Sequence, residues 1–140
     1  MDISGGCHCG NIKYTAKIDP QKVILCHCTD CQQMSGAAFR GIVVSTDKTF
    51  SMTGNIKEYV KQTANSGTPR IQGFCPECGT HIYATTVDNN MPTGTKPYMI
   101  RLGTIEQRDK LNPTVEIWCS SRQHWVNPIE NAVQIEGQPS

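Results

Sequence analysis

Seven of the eight cysteines fall into three short clusters. CHCG (7–10) carries Cys7 and Cys9, CHCTDC (26–31) carries Cys26, Cys28 and Cys31, and CPECG (75–79) carries Cys75 and Cys78. A Cys-x-x-Cys-Gly turn aims two thiolates at one tetrahedral centre, and its glycine allows the positive φ that turns backbone N–H groups towards the sulfurs. Such a turn supplies half a metal site. Cys7 and Cys9 are the natural second half, because the middle cluster forms a richer group of its own. Four thiolates make a closed, structural zinc site, with on the order of 10 kcal/mol of folding free energy to give. Cys26, Cys28 and Cys31 are then left as three ligands of a second ion. Three protein ligands and an open position are the arrangement of catalytic zinc. Thiolates lower the net positive charge of the ion, so the open position suits a soft thiol substrate better than strong water activation.

Other readings of the same cysteines stay open. An even count invites disulfides, but Cys-x-Cys neighbours rarely bridge each other. One structural site plus spare redox thiols is a second reading. A third has His27 or His81 complete the middle site. His27 sits between two ligands, and on a strand it would point away from them; His8 has the same difficulty. His81 reads as a packed or surface residue. Cys119, beside Trp118 in a strand-like stretch, reads as a buried inert thiol.

The elements that must hold these residues are strands. Ile12, Tyr14, Ala16 and Ile18 alternate with Asn11, Lys13, Thr15 and Lys17, the period of a half-buried strand. KVILC (22–26) runs apolar into the first thiol of the middle cluster. AFRGIVVS (38–45), KTFSMTG (48–54), IKEYV (56–60), IQGFC (71–75), THIYAT (80–85), YMIRLG (98–103), VEIW (115–118) and AVQI (132–135) continue the pattern. Turn residues separate them: Asp19-Pro20, Gly54-Asn55, Ser66-Gly67-Thr68-Pro69, Asn89-Asn90 and Pro92-Thr93-Gly94. The single helical turn of interest is DCQQMSG (30–36), with Gly36 suited to its end. Residues 86–97 read as a loop and 136–140 as a frayed tail. The expected class is an all-β, sandwich-like or open-barrel domain.

With 140 residues, one domain is expected. The formal net charge of +1 lacks the basic footprint of a nucleic-acid binder. MDISGGCHCGN has neither the basic nor the apolar region of a secretory signal, and no stretch approaches the roughly 18 apolar residues of a membrane span. A cytoplasmic location is expected, where clustered thiols stay reduced and bind metal or do chemistry.

CHCGNIKY (7–14), CHCTDCQQMSG (26–36) and GFCPECGTHIY (73–83) together resemble the glutathione-dependent formaldehyde-activating enzyme family, also called the centromere-protein-V/Gfa domain. RLGTIE (101–106), PTVEIW (113–118) and Trp125 extend the likeness over roughly residues 4 to 126, leaving about 127–140 as a C-terminal tail. The resemblance implies a mainly β fold, a small β-tent of antiparallel sheets with two zinc ions per chain. It implies Cys7, Cys9, Cys75 and Cys78 as structural ligands and Cys26, Cys28 and Cys31 as ligands of the catalytic zinc. The implied reaction joins formaldehyde to glutathione, as in carbon–sulfur lyases. Two departures stand out: the family often has histidine where this chain has Glu116, and Cys119 is outside the pattern.

By chain proximity, Ser35, Gly36 and Phe39 are expected to line a substrate cleft, although a capping or turn role suits Ser35 equally. Arg40 and Arg70 could meet a glutathione carboxylate, but a solvated surface charge is the ordinary state of each. The expected partners are a small-molecule thiol and aldehyde, with neither nucleic acid nor membrane, in a monomer or homodimer. The competing function is a non-catalytic zinc module that engages a protein partner.

Overall fold

The computed structural model describes residues 1–62 and 67–139. Ser66, at the start of one expected turn, lies outside them. The strands are β1 (Asp2–Gly6), β2 (Lys13–Lys17), β3 (Val23–Cys26), β4 (Arg40–Thr46), β5 (Ser51–Thr53), β6 (Lys57–Lys61), β7 (Arg70–Phe74), β8 (His81–Thr86), β9 (Pro97–Arg101), β10 (Val115–Ile117) and β11 (Val133–Gln134). The helix α1 spans Thr29–Ser35. The mainly β expectation holds. β1 is a strand without a sequence signal: DISGG has no alternation, and pairing with β2 makes it extended.

Among the described residues the strands form two sheets, in the orders β1-β2-β5 and β11-β10-β3-β4-β9-β8-β7-β6. The first is antiparallel throughout. The second departs from the expectation at one edge, where β10 runs parallel to both β3 and β11. Long connections from β3 to β10 and from β10 to β11 permit this; a tight hairpin could not.

Strand alternation gives the larger sheet two different faces. One face carries Val23, Val43, Tyr83 and Ile100, all buried with Ile3, Tyr14, Ala16 and Ile18 in the main core between the sheets. On the other face a smaller cluster gathers Cys26, Cys28, Ile42 and Ile117, with Met99, Trp118 and Ile135 against it. The cysteine chemistry therefore sits outside the main core, on a sheet that the core holds rigid.

The C-terminal stretch is not a frayed tail. Trp118 N–H donates to Gly137 O at 3.1 Å and Cys119 N–H to Ile135 O at 3.0 Å, while Trp118 Nε1 donates to Gln138 Oε1 at 2.9 Å. The expected strand through Trp118 stops at Ile117, because Trp118 turns into the left-handed region at φ 55°. That turn aims the indole back at the returning chain.

Candidate metal centres and the adjoining cavity

Two turns from different sheets meet at the first cysteine group. Cys7 and Cys9 lie between β1 and β2, and Cys75 and Cys78 between β7 and β8. Their four sulfurs lie within 4.8 Å of one another. Cys7 and Cys9 Sγ are 3.6 Å apart, and Cys9 and Cys75 Sγ 3.8 Å. A tetrahedral centre with metal–sulfur bonds of about 2.3 Å separates its sulfurs by about 3.8 Å, so the donor set fits a closed metal–thiolate site. Gly10 (φ 83°) and Gly79 (φ 77°) supply the positive φ that each turn needs. Ile12 N–H donates to Cys7 Sγ at 3.2 Å, and Thr80 Oγ1 lies 3.2 Å from Cys78 Sγ. Hydrogen bonds from the Thr80 hydroxyl and N–H, then from Cys9 N–H, hold the Cys78 thiol down to about 5. All eight cysteines are free thiols.

Cys26 ends β3, and Cys28 and Cys31 open α1. Their sulfurs also lie within 4.8 Å of one another. Cys28 is the N-cap of α1: its Sγ accepts the Cys31 N–H at 3.2 Å. Gly36, at φ 68°, ends the helix as expected. Hydrogen bonds from the Cys26 and Cys31 thiols hold the Cys28 thiol down to about 2, and the same sharing pushes the Cys26 thiol far up. Among the described residues, no fourth His, Cys, Asp or Glu atom joins this triad.

The ligand loop rests on a buried pair. His27 faces away from the sulfurs, as its place between two ligands requires. Its Nε2 lies 2.8 Å from Glu116 Oε1, both side chains fully buried. Glu116 Oε2 accepts the Ile129 N–H at 2.8 Å and Gln134 Nε2 at 2.6 Å, with Arg122 at 3.4 Å. Burial raises the Glu116 carboxyl, but Gln134, Ile129, His27 and Arg122 outweigh it and bring it to about 2. Glu116 and Cys119 therefore act beneath the loop rather than in the cavity. Glu116→Ala should destabilise the protein by about 3 kcal/mol, because it removes the buried partner of His27 and the acceptor of the Ile129 N–H and weakens the contacts of Gln134 and Arg122. Denaturant unfolding measures this; a loss below about 1 kcal/mol would contradict the bracing role.

A cavity of about 220 Å³ opens beside the triad. Register explains who lines it. Cys26 pairs across with Arg40 and Ile117, and Ile42 with Ile24 and Arg101. Gln72 pairs with Ala84, Ala84 with Met99, and Arg70 with Lys61. Directly paired residues share a face, so these side chains form one floor under the cavity. Trp118, Gln138 and Pro139 close a side of it.

The expected cleft residues fall elsewhere. Ser35 Oγ accepts the Ala37 N–H at 3.1 Å, a turn role, and Gly36 is the helix cap. Phe39 packs against His27 with ring centroids 5.5 Å apart and planes tilted by 59°. None of the three lines the cavity. Chain proximity misled here: Ser35 and Gly36 are exposed at the end of α1, and Phe39 is turned to His27. Arg40 and Arg70 do line the cavity, and Arg40 is no surface charge: it is 6% exposed. Gln72, Arg101 and the returning residues 138–139 escaped the sequence reading. An arginine in phase with Met99 in YMIRLG was the available signal for Arg101.

A mainly β scaffold with two cysteine groups able to hold metal defines the class. The family model described as glutathione-dependent formaldehyde-activating enzyme matches residues 2–121, and the chain belongs to that family. It is 28% identical over 99 residues to an uncharacterized lyase of Schizosaccharomyces pombe, a match covering 71% of this chain and 65% of that protein. The chain thus matches less than two thirds of that relative. A crystal structure of a Rhodobacter sphaeroides protein is similar at a TM-score of 0.53 and 14% identity, covering 94% of this chain and 98% of that one. The likeness extends to the fold. Among the described residues, no helix is long and apolar enough to cross a membrane.

Proposed function

We propose that the protein is a zinc-dependent carbon–sulfur lyase acting on adducts of a thiol, glutathione or another, with formaldehyde or a small aldehyde. The supporting observation is the Cys26, Cys28 and Cys31 triad beside a cavity, three thiols that no fourth ligand joins among the described residues. Cys7, Cys9, Cys75 and Cys78 would hold the structural ion. When bound at the triad, zinc would supply a Lewis-acidic position that keeps a substrate thiol deprotonated at neutral pH.

In the adduct-forming direction, a carbon–sulfur bond forms as the carbonyl π bond opens. The proton lost by the thiol ends on the new hydroxyl oxygen. The barrier is low without a catalyst, so this chain's contribution is chiefly to hold the two reactants together. The floor of the cavity positions them, and the Trp118 indole with Gln138 and Pro139 limits water on one side. Exchange spectroscopy on formaldehyde and glutathione tests the reading. The zinc-loaded protein should speed formation of the hydroxymethyl thioether above the uncatalysed rate; an unchanged rate with glutathione and with other small thiols would sink it.

A second reading, a zinc module that engages a protein partner or a second copy, draws on the edge of the larger sheet. There Tyr59 and Val60 of β6 are 53% and 41% exposed. It expects one tightly held ion and no response to thiols.

A further inference from the structure

The floor of the cavity beside the triad holds two buried arginines that, among the described residues, have no acid partner. Arg40 and Arg101 are 6% and 7% exposed. One neutral atom serves both: Gln72 Oε1 accepts from Arg40 Nη1 at 3.2 Å and from Arg101 Nη2 at 2.7 Å. Arg40 Nε and Nη2 and Arg101 Nε are buried with no hydrogen-bond partner. Among the described residues, no Asp or Glu lines the cavity, whereas Lys61 and Arg70 add positive charge at its rim. Lys61 is answered by Asp30 at 3.4 Å. A buried guanidinium cannot shed its proton to escape the cost of desolvation, so unpaired N–H groups on two residues that line a cavity call for an anion.

The thiols do not supply all of that anion. Three thiolates around a divalent ion carry a net charge of about −1, against +2 on Arg40 and Arg101. One positive charge remains while the open position is empty, and after a substrate thiolate fills it the excess is carried by Arg70. Register puts that charge next to the sulfurs, since Arg40 is the direct cross-strand partner of Cys26, with Cβ atoms about 5 Å apart in such pairs. The cavity, about 220 Å³, is smaller than the roughly 300–1,000 Å³ that encloses a drug-sized ligand.

We propose that Arg40 and Arg101, set by Gln72, form an anion subsite that receives a carboxylate carried by the substrate. The preferred substrate is then a small acidic thiol–aldehyde adduct, or the acidic end of a longer one, with its sulfur at the triad. This rests on the thiol–aldehyde reading for the sulfur end. The carboxylate end rests on the arginines alone. A guanidinium fork meets a carboxylate through two parallel hydrogen bonds, a geometry that lysine could not reproduce.

Calorimetry on the zinc-loaded chain under reducing conditions tests it with mercaptoacetate, the neutral thiol 2-mercaptoethanol, and acetate. Mercaptoacetate should bind at least about tenfold more tightly than 2-mercaptoethanol, the order expected of a charge-assisted pair. Arg101→Met and Arg40→Met should each bring the two thiols to parity, leaving zinc content and 2-mercaptoethanol binding unchanged. Parity in the wild type overturns the proposal, and so does an advantage that both variants keep. Should neither variant fold, competition in the wild type decides. Acetate should displace mercaptoacetate but not 2-mercaptoethanol; acetate that displaces neither overturns the subsite. If no thiol binds while acetate binds in an Arg101-dependent way, the subsite stands and the thiol–aldehyde reading fails.

Discussion

Cys78→Ser should cost the chain its fold. Cys75 and Cys78 sit in the turn between β7 and β8 of the larger sheet, and Cys7 and Cys9 in the turn between β1 and β2 of the smaller one. An ion held by all four would fasten the two sheets at one end of the core they share. Structural zinc contributes on the order of 10 kcal/mol, against a net stability of about 5–15 kcal/mol for a typical domain. What remains between the turns is slight, such as the His8 N–H donating to Thr80 Oγ1 at 3.1 Å. Soluble yield and far-UV circular dichroism at 25 °C measure the outcome. A variant that stays folded with both ions bound would remove the structural role from this group.

Cys28→Ser should do the opposite: spare the fold and remove the activity. The triad lies on the outer face of the larger sheet, away from the main core. Serine is the informative replacement because Cys28 also caps α1 through its sulfur. A serine oxygen keeps that cap, whereas alanine would add about 1 kcal/mol of lost capping. The loss then reports on the metal. Changes in a metal's outer shell alone cost about 10–100-fold, so removing a ligand should reduce the rate by at least about 100-fold and release one ion per chain. Unfolding equal to that of Cys78→Ser would erase the division between the two sites.

Much of this was legible in the residues themselves. Thiol spacing marked both groups, because Cys-x-Cys and Cys-x-x-Cys turns are local and the chemistry of the donors is in their names. Alternation placed Tyr14, Ala16 and Ile18 on the core face and gave most strands within a few residues. The helix end at Gly36 followed from its freedom at positive φ. What the sequence hid was lateral. Arg101 and Arg40 come together only because β9 lies beside β4 in the sheet order, and no local pattern encodes which strands are neighbours. Arg40 therefore read as a surface charge. Glu116 stood out in the sequence only as a departure from the family pattern, and its partner His27 is 89 residues away on the chain. Residues 136–139 looked frayed because their partners, Trp118 to Ser120, are distant in sequence.

The central claim is one closed metal site and one open to a thiol. Its most direct test is metal content per chain under reducing conditions, followed by the visible spectrum of the cobalt-substituted protein as glutathione is added. The account predicts two ions per chain, with glutathione altering the sulfur-to-metal absorption of one and leaving the other unchanged. One tightly held ion whose spectrum ignores glutathione and other small thiols would contradict it.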